Sequence, residues 1–159
     1  MREAGLGFLD KVLELSVVVS FMLMIVVVMV QVIARYALPW SPHWTEEMAR
    51  FCFIYMVSLG AGLAIKDHAY VNVTTLLDKF KGPAKFYADS IILLSIIILM
   101  GCMLIYSIPL LKIVSLQNSA ALQVNMSIIY FSMTAMSFLV TFYAGAQLLA
   151  NYKKFQQAL

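Results

Sequence analysis

Hydrophobic residues fall into four long, almost uninterrupted runs, at residues 12–34, 44–65, 90–111 and 127–150. A helix needs about 20 apolar residues to cross roughly 30 Å of hydrocarbon. Because the runs are continuous and do not alternate with polar residues, membrane-spanning β-strands are a poor interpretation. The pattern predicts an all-α integral membrane protein with four transmembrane helices. Pro109 is expected to bend or end the third helix in its last turn.

The composition agrees with this pattern, since 63% of the residues are hydrophobic and only 12% are charged. A typical soluble domain has about 25% charged residues. No soluble domain fits between the runs, so residues 1–159 are expected to form a single membrane domain. Residues 66–89 are amphipathic enough to lie along the lipid headgroups as an interfacial loop. The basic residues behind the net charge of +3 are dispersed, which disfavours nucleic acid as a partner.

Lys and Arg are unevenly distributed between the two sides of the predicted bundle. Eight of these basic residues lie before the first run, between the second and third runs, or after the fourth run. The other three lie in the two remaining connections or beside them. Positively charged residues collect on the cytoplasmic side of membrane proteins. Both termini are therefore expected to be cytoplasmic. The eight are Arg2, Lys11, Lys66, Lys79, Lys81, Lys85, Lys153 and Lys154, and the three are Arg35, Arg50 and Lys112.

The second run opens with the sequence WTEEMARF, which is unusually rich in charge for this chain. Residues 51–65 alone would form about 22 Å of helix, which is too short to cross the hydrocarbon. Extending the helix back to Thr45 gives a sufficient length. The charged residues of this stretch are then expected to lie among the outer headgroups.

Three charged residues in this stretch are close enough along a helix to interact. Arg50 follows Glu46 by four residues and Glu47 by three, so both carboxylates are expected to reach the guanidinium. Trp40 and Trp44 fit the aromatic belt at the membrane interface. Two interpretations remain open for this cluster. It is either a self-neutralised membrane anchor or an outer-face docking patch for another protein.

Farther along the same helix, Ser58, Ala61 and Gly62 place small side chains on neighbouring helix faces. Ser58 and Gly62 are four residues apart, a spacing that lets two helix backbones approach closely in lipid. These residues are the candidate helix-packing face, and packing within the four-helix unit is the favoured use.

Few residues at membrane depth are suited to chemistry. Glu14 is the carboxylate expected to enter the first span, near its inner end. His43 and His68 fall in loops, so haem ligands in the bundle core are unsupported. Cys52 and Cys102 are expected to be buried thiols that act as small hydrophobes. No catalytic residue, metal site or cofactor is therefore expected, and the chain is predicted to support another membrane component.

Two segments together resemble the small membrane subunit of TRAP (tripartite ATP-independent periplasmic) transporters. They are RYALPWSPHWTEEMARF, residues 35–51, and VSLGAGLAIKDHAYVNV, residues 57–73. The four-span plan and the chain length are also similar to that family. The residues that match its pattern are Arg35, Tyr36, Trp44, Thr45, Glu46, Glu47, Ala49, Arg50, Gly60, Ala61 and His68.

The resemblance implies a subunit of a three-part uptake system in a bacterial inner membrane. A soluble periplasmic protein would capture an organic acid, such as a sialic acid or a C4-dicarboxylate. A large elevator-type subunit would hold the substrate and sodium sites. This chain would brace the scaffold of the large subunit and add docking surface for the periplasmic protein. The candidate surface residues are Arg35, Tyr36, Trp40, Trp44, Glu46, Glu47 and Arg50.

Two other classes of protein stay open. A stand-alone four-helix exporter, acting as a dimer, would need a carboxylate in the membrane, and Glu14 is its candidate. A membrane anchor for a redox or hydrolytic enzyme would need a catalytic partner. Purifying the chain alone and asking whether it transports a solute separates the exporter from a supporting subunit.

Overall fold

The structure is a computed structural model that describes residues 7–37, 43–67 and 83–158. Within these ranges it contains four long helices, each of which is long and apolar enough to cross a membrane. The prediction of an all-α membrane protein with four spanning helices is thereby confirmed. The helices are α1 (Gly7–Ala37), α2 (His43–Lys66), α3 (Pro83–Val114) and α4 (Met126–Ala158).

The helices extend beyond the apolar runs that predicted them. With 24 to 33 residues each, they are roughly 36 to 50 Å long, more than the hydrocarbon requires. α3 begins at Pro83, so the last part of the expected interfacial loop is helical. A proline is tolerated there because the first helical turn leaves its N–H groups unpaired. Residues 68–82 of that loop lie outside the described residues.

Pro109 lies inside α3, which continues to Val114. Of the two alternatives expected for Pro109, a bend or an end of the helix, the second is therefore wrong. A proline removes one backbone hydrogen bond and crowds the preceding turn. The flanking apolar residues nevertheless favour a helix, because an unpaired backbone is costly in hydrocarbon.

The described helices pack in a row, in the order α1, α2, α4, α3. α1 and α2 are antiparallel, since Asp10 at the start of α1 meets Lys66 at the end of α2. α3 and α4 are also antiparallel, because Ser107 contacts Thr134 while Asp89 contacts Asn151. The row is open, so among the described segments α1 packs along α2 and α3 packs along α4.

The buried core is small and centres on α4. Leu93 and Ala144 are completely buried, and Val140, Tyr143 and Ile65 complete the cluster. By contrast, most large apolar side chains of α1 are exposed. An exposed apolar face of this length is expected where lipid tails or another membrane helix cover it.

A short loop, residues 115–125, joins α3 to α4 and has a fixed backbone. Asn118 and Asn125 form an isolated antiparallel bridge, and the Ser119 N–H donates to the Val124 carbonyl over 2.8 Å. The Asn125 side chain accepts a hydrogen bond from the Ser127 N–H at 2.9 Å, so it caps α4. We call this segment the α3–α4 loop. We call the end of the molecule at which this loop and the first turn of α2 lie the loop end.

Candidate interaction surfaces

At the loop end, Glu46 and Arg50 form an exposed ion pair on α2. Their closest side-chain atoms are 3.5 Å apart, with a spacing of four residues. Both side chains are about two-thirds exposed. Such a surface pair contributes little to stability. Because both side chains are exposed, their charges are accessible to a partner.

The partners of Glu47 lie in the α3–α4 loop, whereas its expected partner was Arg50. Its carboxylate accepts hydrogen bonds from the Ala121 N–H at 3.1 Å, from the Leu122 N–H at 2.9 Å and from the Ser119 hydroxyl. The prediction that both carboxylates turn to Arg50 is therefore wrong for Glu47. Consecutive residues on a helix point about 100° apart, so Glu47 faces the α3–α4 loop while Glu46 faces along α2.

The Glu47 carboxylate thus binds a concave arrangement of loop N–H groups. Such arrangements stabilise anions through the combined backbone dipoles. Ser119 is 2% exposed, so its hydroxyl is shielded at this contact. Glu47 links the start of α2 to a loop more than seventy residues later in the chain.

The other predicted outer residues that the structure describes are distributed around the same end. Arg35 and Tyr36 lie in the last turn of α1, and both are exposed. Trp44 lies in the first turn of α2 and is 45% exposed. The neighbouring Thr45 is completely buried. Trp40 lies outside the described residues.

The small residues of α2 lie where α2 approaches α4. Ser58 and Gly62 are both buried. A Cβ atom placed on Gly62 would lie 2.9 Å from Cβ of Leu139, which is too close for a real contact. Ala61 packs against the core cluster, whereas an added Cβ at Gly60 would meet nothing within 4 Å. Close approach of α2 and α4 thus depends on the absence of a side chain at Gly62.

A second polar cluster lies at the opposite end from the α3–α4 loop. Lys66 is 2.8 Å from one carboxylate oxygen of Asp10, and the Tyr143 hydroxyl donates to the other oxygen at 2.6 Å. Glu14 is more distant, at 3.8 Å from Lys66, and is more exposed. The cluster connects α1, α2 and α4. Glu14 was expected to be the carboxylate that enters the first span, but Asp10 lies in α1 as well.

The sequence pattern missed Asp10 because it precedes the first apolar run. The signal that could have found it is its spacing, since Asp10 and Glu14 are four residues apart and share a helix face. Lys66 ends the neighbouring antiparallel helix and is the matching cation. Tyr143 packs in the core and also donates this hydrogen bond.

Both cysteines are free thiols, but their surroundings differ. Cys52 is buried, as expected, whereas Cys102 is exposed on α3. The expectation was wrong for Cys102 because it faces outward from the open row of helices. Across the described ranges, no three His, Cys, Asp or Glu side chains are grouped closely enough to hold a metal ion.

These features define a multi-pass helical membrane protein with charged contacts at both ends of its helices. A family model described as "Tripartite ATP-independent periplasmic transporters, DctQ component" matches residues 24–154. The chain belongs to this family, and it is a small permease subunit of a TRAP transporter. The resemblance seen in residues 35–73 is thereby confirmed.

Three relatives illustrate the range of the family. The chain is 25% identical over 149 residues to a Haemophilus influenzae protein that carries the name of a TRAP transporter small permease protein, with 92% of this chain and 89% of that protein covered. It is 29% identical over 75 residues to the sialic acid TRAP transporter small permease protein SiaQ of Vibrio cholerae, covering 47% and 43%.

The third relative is the isethionate TRAP transporter permease protein DctMQ of Oleidesulfovibrio alaskensis. It is 32% identical over 140 residues, which cover 81% of this chain but 22% of that longer protein. A region similar to this chain is therefore one part of a much longer polypeptide in that relative.

Proposed function

We propose that this chain braces the large subunit of a sodium-coupled, three-component system that takes up an organic acid. The observation that supports this most directly is the open row of helices, which leaves long apolar faces on α1 and α3. A transport scaffold needs partners that widen it in the bilayer. Apolar helices without deep charges are suited to that task.

The relatives support the same division of labour. In the DctMQ protein the similar region accounts for about a fifth of a permease polypeptide, so it is joined covalently to a much larger portion. For this chain, we propose a separate large subunit that carries the substrate and sodium sites. The names of two relatives specify sialic acid and isethionate, both organic acids. The proposed cargo is therefore of that chemical class.

The proposed orientation places the loop end outside the cytoplasm, because eight of the eleven basic residues lie on the other side. The Glu46–Arg50 pair and the α3–α4 loop would then face the periplasm. A soluble substrate-binding protein would meet this end of the complex. Electrostatic contacts there would guide its approach.

The exporter alternative depends on Glu14, which lies close to Lys66. A carboxylate with a neighbouring lysine is a poor site for a cation, because the lysine already supplies the compensating charge. No observation favours this alternative over the subunit role.

Reconstitution tests the proposal. Proteoliposomes would contain this chain alone, the large subunit alone, or both together, with a sodium gradient and a ligand-loaded binding protein. Sialic acid, isethionate and a C4-dicarboxylate would be the test solutes. Uptake is expected when both membrane subunits are present. Solute flux in vesicles that contain this chain alone would contradict the proposal. If a Glu14→Gln variant abolished that flux, the chain would be an exporter.

A further inference from the structure

The described helices form two antiparallel hairpins, α1 with α2 and α3 with α4. The hairpins pack together along α2 and α4, which run in the same direction. Tyr55 contacts Ile128 near the loop end, and Gly62 approaches Leu139 farther along both helices. We call this contact the hairpin seam. Because α1 and α3 lie at opposite edges of the row, the described helices do not close into a ring, and the seam determines the angle between the hairpins.

The half of the seam farther from the loop end is held by apolar packing. Ile65 lies in the core cluster with Val140 and Tyr143 of α4, and Ala61 packs against the same cluster. The close approach at Gly62 adds to this contact. No described residue of α2 ahead of Ala61 belongs to the cluster. The core cluster therefore holds one half of the seam, and a tilt between the hairpins would pivot there.

The half of the seam at the loop end is held by hydrogen bonds from α2 side chains to backbone groups. The Tyr55 hydroxyl donates to the Ile128 carbonyl, in the first turn of α4. The Glu47 carboxylate accepts from the Ala121 and Leu122 N–H groups at 3.1 and 2.9 Å. Hydrogen bonds weaken steeply when their length or angle departs from the preferred geometry, so they fix an orientation more strictly than apolar packing does.

The α3–α4 loop connects Glu47 to both helices of the second hairpin. The Met126 N–H donates to the Gln117 carbonyl at 3.0 Å, which ties the loop to the start of α4. The Asn125 amide donates to the Ser115 carbonyl at 2.8 Å, directly after the end of α3. A contact with this loop is therefore a contact with the end of the whole hairpin.

The distance of these hydrogen bonds from the pivot makes them effective. Glu47 precedes Gly62 by fifteen residues, which corresponds to about 22 Å of helix. A tilt of about 5° at Gly62 would displace the start of α2 by about 2 Å, which is enough to break a hydrogen bond. A few bonds at this position therefore limit the tilt more than the same bonds would close to Gly62.

We propose that Glu47 and Tyr55 form a clamp that fixes the angle between the two hairpins, and that bracing of the large subunit depends on this angle. This inference rests on the proposed function. A brace resists displacement only if its own shape is fixed. Glu47 and Tyr55 are in this sense positioning residues, which act on uptake through the shape of the subunit.

The test measures distances between pairs of spin labels by double electron–electron resonance, in the complete complex of both membrane subunits with their native cysteines replaced. One pair reports the loop end and the other lies toward the opposite end. All four label positions are exposed in this chain. The pairs are Tyr36→Cys with Ile113→Cys, and Leu15→Cys with Ile91→Cys.

The double variant Glu47→Ala with Tyr55→Phe removes the clamp. We expect its loop-end distance to shift or widen by about 2 Å or more, as a tilt of about 5° requires. The pair toward the opposite end is expected to keep its wild-type distance, because it lies closer to the pivot. Glu47→Gln keeps one acceptor oxygen and is expected to give an intermediate loop-end distance.

Two control variants remove the same chemical groups from neighbouring sites. Glu46→Ala removes the adjacent carboxylate, which pairs with Arg50 on the same helix. Tyr106→Phe removes the hydroxyl of a tyrosine that is 74% exposed on α3. Both are expected to keep wild-type distances. If the double variant does not assemble, Tyr55→Phe and Glu47→Gln replace it, since each changes a single group and is expected to shift the loop-end distance in the same direction.

Uptake by the same complexes tests the second part of the inference. The maximal rate is expected to fall several-fold in the double variant, while the wild-type amount of large subunit co-purifies with it. Wild-type loop-end distances in the clamp variants would overturn the inference, and so would a wild-type maximal rate despite a shifted distance. A wild-type complex without any uptake would instead contradict the proposed function, and with it the role assigned to the angle.

Discussion

Asp10 is shared by two partners from two different helices, Lys66 of α2 and Tyr143 of α4. Removing the Tyr143 hydroxyl in Tyr143→Phe leaves the ring in the core and breaks one hydrogen bond. We expect the complex to lose roughly 1 kcal/mol of stability, as is typical for a side-chain hydrogen bond inside a membrane protein. Lys66→Met should cost more, because it leaves a largely buried carboxylate without its cation. Thermal unfolding in detergent would measure both.

Two further variants serve as controls for this cluster. Glu14→Gln alters a carboxylate that is 59% exposed and 3.8 Å from Lys66, so it should change stability little. In the double variant Asp10→Asn with Lys66→Met, the combined loss should be smaller than the sum of the single losses, because no unpaired charge remains. Additive losses would show that Asp10 and Lys66 do not depend on each other.

For individual residues, the sequence predicted which ones are polar and lie near the ends of the helices. It did not predict which of them contact each other. Helical spacing gave Glu46 and Arg50 correctly, because both lie on one helix and the spacing determines their distance. It was wrong for Glu47, whose partners come from a loop far along the chain. Local spacing carries no information about such distant partners.

Gly62 controls how closely α2 packs against α4. Gly62→Val would place a Cβ atom 2.9 Å from Cβ of Leu139, which belongs to a residue whose backbone is fixed in α4. The two helices would have to move apart, and we expect a loss of about 1–3 kcal/mol. The yield of monodisperse complex and its thermal midpoint would report this loss.

Gly60 provides the matched control on the same helix. A Cβ atom added there meets nothing within 4 Å, so Gly60→Val should leave the contact between α2 and α4 intact. Equal damage from both variants would indicate a general helix effect of the β-branched residue rather than a packing effect. A smaller yield of Gly60→Val only in the presence of the large subunit would indicate that Gly60 faces that subunit.

The elements themselves were largely predictable, because the length and continuity of the apolar runs reflect the thickness of the hydrocarbon. Their ends were less predictable. α3 begins at Pro83 and α1 at Gly7, ahead of the apolar runs, because backbone hydrogen bonding continues into the headgroup region where hydrophobicity no longer marks it. The fixed conformation of the α3–α4 loop depends on Glu47 and Asn125, and the apolar pattern does not register those contacts.

The order of the helices, an open row of α1, α2, α4 and α3, is a property of the whole molecule that no single residue shows. The apolar runs predicted four spans but not their neighbours, because hydrophobicity does not distinguish a lipid-facing side chain from one that faces another helix. Small residues and polar contacts decide the order. Gly62 selects α4 as a neighbour of α2, and Ser107 with Thr134 joins α3 to α4.

The proposed orientation of the row is a property of the whole molecule, and it determines which partner each end can meet. Cys52→Ala and Cys102→Ala would remove the two native thiols, after which single cysteines would be introduced by Asn118→Cys or Lys153→Cys. Both positions are exposed; Asn118 lies in the loop that precedes α4, and Lys153 lies near the other end of that helix. With the loop end outside, a membrane-impermeant maleimide should label the Asn118→Cys variant in intact spheroplasts. The Lys153→Cys variant should be labelled only after lysis. The reverse pattern would place the α3–α4 loop in the cytoplasm, where no periplasmic protein could reach it.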